Sequence, residues 1–167
     1  MLIFVDYRFP PQALTMLKEM GSVVMINHEG ITYPAISGHP DVFFCFGAGR
    51  LVVAPNASSS YIDVLNAHGI GYTIGENMVG QKYPGSVFYN AFVNHHYLVH
   101  NLKYTEKQIL EVHKEKEHIH VKQAYTRCSL VETAGLYITG DKGIEKKLKA
   151  KGLDVFLVDN KQVSLYG

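Results

Sequence analysis

Apolar residues occur in short runs punctuated by glycine, proline and capping residues, and the runs alternate between strand and helix spacing. Residues 2–7 are rich in strand formers, and Pro10-Pro11 then opens a helix, because proline's missing N–H is not needed in a first turn. Ala13, Leu14, Leu17 and Met20 mark one face of that helix. Gly21 stops it, and residues 22–26 read as a buried strand beside the first. The chain therefore opens β-α-β, with a loop expected over residues 27–38.

From Asp41 the order changes to strand–strand–helix–strand. Residues 42–46 and 51–54 flank Gly47-Ala48-Gly49-Arg50 as a hairpin would, Ser60-x-x-Asp63 resembles a capping box, and residues 70–74 close the unit. The order returns with strands at 87–92 and 97–100, a helix opened by Thr105-x-x-Gln108, and a strand at 119–121. A third copy has strands at 128–131 and 136–139 around Thr133-Ala134-Gly135, a helix capped by Asp141, and a strand at 155–158. The fold class expected is α/β, a single domain over residues 1–167, with helices packed beside sheets around a shared centre.

Composition narrows the function classes. Sixteen basic against 15 acidic residues leave a formal charge of +1, so no global field draws the chain to nucleic acid or anionic lipid. No apolar run approaches the roughly 20 residues of a membrane span, and two cysteines, Cys45 and Cys128, make no disulfide framework or zinc spacing. A cytoplasmic protein without membrane or nucleic-acid partners is expected; a homo-oligomer is left open.

Several short segments carry a resemblance: Asp6-Tyr7-Arg8-Phe9, Ser37-Gly38-His39-Pro40-Asp41, Tyr83-Pro84 with Tyr89-Asn90, Val121-Lys122-Gln123 through Arg127-Cys128-Ser129, and Ile138-Thr139-Gly140-Asp141. In this order they resemble an uncharacterised bacterial family related to the pentein, or guanidino-group-modifying, superfamily. That resemblance implies a pseudosymmetric propeller of five strand–strand–helix–strand units around a central channel. Its enzymes are hydrolases and transferases acting on guanidino or amidino carbon. It also implies a cysteine nucleophile from the last unit, near the C-terminus, and this chain departs from that pattern because no cysteine follows Cys128. About four of the five units are expected here. The chain is then a shortened form, or a strand at 164–167 pairs with residues 2–6 and closes a smaller ring.

Candidate chemistry gathers on a few residues. His39 and Asp41 stand two apart at the start of a strand, where a carboxylate would orient an imidazole for acid–base work; the competing reading is a turn fixed by Pro40. Cys128 follows Lys122, Tyr125 and Arg127, and the two cations among these neighbours would lower its pKa toward neutrality, but a cysteine beginning an apolar strand also suits a buried hydrophobe. Asn90, Lys122 and Gln123 sit among strand formers and either face a channel or end strands at the surface. Asp141 caps a helix and, by the resemblance, faces a cationic ligand. Nine histidines raise the question of metal, with His118-x-His120 and the group His95, His96 and His100 as candidates, yet no ligand motif appears and neither metal nor cofactor is expected.

The reading is a pentein-like protein binding a small polar metabolite, guanidino, amidino or carboxylate-bearing, in a central channel, with enzymatic activity open. The alternative is a noncatalytic binding or assembly module, ribosome- or protein-associated.

Overall fold

The computed structural model of the chain describes residues 1–28 and 30–159. Strand β1 (Leu2–Asp6) and strand β2 (Ser22–Ile26) run parallel, joined by helix α1 (Pro11–Met20), which begins on proline and stops at Gly21. Three further sheets repeat one pattern. Strands β3 (Phe44–Gly47) and β4 (Arg50–Val53) form an antiparallel hairpin, and helix α2 (Ser59–Ala67) brings β5 (Thr73–Ile74) back parallel to β4. Strands β6 (Phe92–Val93) and β7 (Tyr97–His100), helix α3 (Lys107–Val112) and strand β8 (Glu117–His120) do the same. After the short helix α4 (Thr126–Ser129) come β9 (Leu130–Thr133), β10 (Leu136–Thr139), helix α5 (Lys142–Lys149) and β11 (Val155–Leu157). The protein is thus a mixed α/β structure with several small sheets and, among the described residues, five α-helices.

The first and third hairpins turn on the same dipeptide. Ala48-Gly49 and Ala134-Gly135 all have positive φ, between 48° and 85°, the backbone that matches the twist of a two-residue hairpin. Gly47-Ala48-Gly49-Arg50 is therefore a hairpin turn, as expected.

Neighbouring sheets are held face to face, because successive residues of a strand point to opposite sides. Leu98 joins an apolar cluster with Phe43, Val52, Leu65 and Ile26, while its neighbour Val99 joins a second cluster with Leu130, Tyr137, Ile144 and Leu148. The middle sheet is buried on both sides. The last sheet is covered on one side only: Val131 and Phe156, both opposite Ile138, are 54% and 57% exposed, and Leu136 beside them is exposed too.

Several expected boundaries move. Residues 40–42 form a 3-10 turn on Pro40, so strand structure starts at Phe44. The strand expected at 87–92 shrinks to Phe92–Val93; Val87, Tyr89 and Ala91 are apolar because this irregular segment runs through the core. Helix α2 starts after Ser58, whose hydroxyl is paired with that of Ser60 and caps nothing. Glu106, not Thr105, caps α3: its buried carboxylate accepts from the Gln108, Glu76 and Asn77 backbone N–H groups. Asp141 caps α5 as expected. Cys128 lies in a helical turn and not in a strand. Strand β1 pairs with β2 alone among the described residues, and the strand expected at 164–167 lies outside them. No described helix is long and apolar enough to cross a membrane.

Candidate functional site

Asp6 ends β1 and is gripped by Arg8, whose Nε and Nη2 donate to its two carboxylate oxygens at 2.8 and 2.5 Å. The same guanidinium reaches the Pro34 and Ala35 carbonyls, which fixes the segment leading to His39. These hydrogen bonds hold the Asp6 carboxyl below the usual carboxylate range. Gly38 lies against the same carboxylate, and a Cβ there would overlap it. His39 Nε2 is 3.9 Å from Asp6 Oδ2.

The turn at Pro40 presents His39 and Asp41 toward α4. Asp41 Oδ2 accepts from the Cys128 thiol at 2.9 Å, although the two residues are 87 positions apart. Asn90, wholly buried, ties the two segments together. Its amide nitrogen donates to Cys128 Sγ at 3.2 Å and to the Asp41 carbonyl at 3.4 Å, while its amide oxygen accepts from the Arg127 and Cys128 N–H groups. The Asn90 carbonyl accepts further from Thr126 N. Ligating atoms of His39, Asp41 and Cys128 all lie within 4.8 Å of one another.

His39 and Cys128 open onto a cleft of about 620 Å³. One wall is Tyr33, Ala35 and Ile36 from the first part of the chain; the other is Val131, Ile138, Thr139, Gly140, Asp141 and Val158 from the last unit. Asp141 works twice: Oδ1 caps α5 by accepting from Gly143 N and Ile144 N, while Oδ2 accepts from Gln123 Nε2 at 3.4 Å. Tyr125, with its hydroxyl between those of Tyr33 and Ser86, spans the floor.

The expected lowering of the Cys128 pKa is overturned. Cys128 is exposed at the cleft edge, yet the protein atoms packed around its sulfur partly desolvate it and the Asp41 carboxylate repels a thiolate, so the thiol is pushed up from its ordinary value; Asn90 and Arg127 oppose this. Cys45, 1% exposed between sheets, is pushed up to about 12 by burial and is a core residue.

The candidates named from sequence thus separate. His39, Asp41, Cys128 and Asn90 come together, and Gln123 and Asp141 line the same cleft. Lys122 is exposed and lies outside the cleft lining, its carbonyl taken by Asn101 Nδ2. Three of the histidines considered for metal are engaged elsewhere: His100 bridges Thr105 Oγ1 and the Ala124 carbonyl, His118 contacts the His113 carbonyl, and His120 Nδ1 accepts from Leu102 N. Asp6, Arg8, Tyr33 and Tyr125 were not foreseen as site residues; the Asp-x-Arg spacing at a strand end is the signal that would have found the first two.

No curated protein matches the chain. A family model does, over residues 4–167, nearly the whole sequence, and on that match the chain belongs to the family of unknown function DUF6873.

Proposed function

We propose that the protein is pentein-like, its sheets the consecutive blades of an incomplete ring, and that the cleft binds a small metabolite carrying a guanidino or amidino group. The observation that carries this reading is the meeting of Cys128, Asp41 and His39 at the edge of a cleft whose far wall bears Asp141. A planar cation suits Asp141, and its charge near Asp41 offsets the carboxylate that holds the thiol protonated.

Binding would then prepare the nucleophile. Cys128 passes its proton to His39, and Sγ bonds to the amidino carbon. The carbon–nitrogen bond breaks as His39 returns the proton to the departing amine. Water then cleaves the carbon–sulfur bond, giving a carbonyl product and the free thiol.

Alkylation tests this. Chloroacetamidine, a cationic reagent, should label Cys128 about tenfold or more faster than neutral chloroacetamide, with both rates normalised to glutathione, as one unit of thiol pKa implies. Asp141→Asn should reduce the preference. Equal normalised rates would remove the amidine reading. They would favour the noncatalytic module, which draws its support from the exposed apolar row of Val131, Leu136 and Phe156.

A further inference from the structure

We propose that His39, Asp41 and Cys128 bind one thiophilic divalent cation of the zinc type, with a fourth position open to the cleft. The three residues offer an imidazole nitrogen, a carboxylate oxygen and a sulfur within 4.8 Å of one another, and among the described residues this is the one such grouping. In a tetrahedral site with metal–sulfur near 2.3 Å and metal–nitrogen or –oxygen near 2.0–2.2 Å, ligand atoms stand about 3.3–3.6 Å apart. The observed spacings, 2.9 Å between Cys128 Sγ and Asp41 Oδ2 and no more than 4.8 Å between any two donors, bracket that range.

The donor set selects the ion. Sulfur with imidazole suits zinc-type ions, whereas magnesium and calcium favour oxygen alone. The surroundings resemble the support that ligands need: Asn90 fixes both the Asp41 backbone and the Cys128 helix turn, and the Asp6 carboxylate stands by the His39 ring. His39 and Cys128 both line the cleft, so solvent or a small ligand can take the fourth position.

When the sulfur–metal bond forms, the thiol proton leaves to solvent, and the sulfur lone pair is no longer free to attack carbon. Binding does not depend on the cleft's being enzymatic. Its consequence, reversible closure of the nucleophile, rests on that reading.

Cobalt(II) titrated into the full chain is the direct probe, because it reports sulfur ligation by a near-ultraviolet charge-transfer band. The expected result is one equivalent bound, a sulfur band displaced by zinc, and visible bands of four-coordinate cobalt. Cys128→Ser should abolish the sulfur band and Cys45→Ala should keep it. His39→Asn and Asp41→Asn should each weaken binding about tenfold or more. Should Cys128→Ser fail to fold, wild-type protein alkylated at Cys128 takes its place. A missing sulfur band at millimolar cobalt, or one that survives loss of Cys128, overturns the site. Selective chloroacetamidine labelling with no cobalt band sinks the metal proposal and leaves the amidine reading standing; the reverse result does the opposite.

Discussion

Acidification should unfold this protein well before its carboxylates are neutralised. His28, His100 and His113 are each 2% exposed or less, and burial lowers all three pKa values to about 4 from 6.5. His28 stacks on Phe43 with ring centroids 3.5 Å apart, and neither ring nitrogen of His113 has a hydrogen-bond partner among the described residues. A histidine depressed on folding stabilises the native state fully above its unfolded pKa of 6.5, and that stabilisation is lost as the pH falls toward 4. At about pH 5 each ring has surrendered up to about 2 kcal/mol relative to about pH 8, so the three together remove up to about 6 kcal/mol, comparable with the whole stability of many domains.

The assay is urea denaturation followed by far-ultraviolet circular dichroism across that range. With a slope near 2 kcal/mol per molar urea, the midpoint should fall by about 1 M for each histidine. His113→Leu should remove about a third of the fall, since it deletes one titrating ring and leaves no partner unpaired. A midpoint constant between pH 8 and 5 would refute the argument, because the three rings would then titrate alike in both states. Asp6 acts in a separate window: its lowered pKa stabilises above about 3.8 and its contribution disappears only as the pH falls through the folded value.

Two substitutions probe the site. Asn90→Ala empties a wholly buried site and removes the amide's bonds to the Asp41 carbonyl and to the Cys128 sulfur and N–H, while the Arg127 N–H keeps the Asn90 backbone carbonyl, so it should lower stability by about 2 kcal/mol in thermal or urea melts and erase the amidine preference at Cys128; a loss under about 0.5 kcal/mol would show that the amide is not the link between the two segments. Asp141→Ala should cost about 1 kcal/mol through the lost cap of α5, whereas Asp141→Asn keeps most of the cap while removing the carboxylate from the cleft, so only the first should lower the melting temperature appreciably.

The repeated units were legible because glycine punctuates them: Ala48-Gly49 and Ala134-Gly135 mark hairpins in sequence and in space. Caps were harder. Thr105 and Glu106 are adjacent candidates, and the choice was made by the distant Glu76 and Asn77 N–H groups, which need the Glu106 carboxylate. His39 and Asp41 could be paired from spacing alone, but nothing local brings Cys128 to them. The same blindness produced the wrong direction for the thiol: Lys122 and Arg127 are near in sequence and exposed, while the packing that desolvates the sulfur and the Asp41 carboxylate that repels its charge come from other parts of the chain. Asn90 shows the limit from the other side, since a polar residue in an apolar stretch was noticed but its four-way bridge was not.

The cleft's two walls come from opposite ends of the described chain, Tyr33 to His39 on one side and Val131 to Val158 on the other. During synthesis the first wall leaves the ribosome long before the second exists, so a nascent or proteolytically clipped protein holding only the early units has a solvent-facing imidazole and no chamber around it. The cleft is therefore complete only once the final sheet has docked.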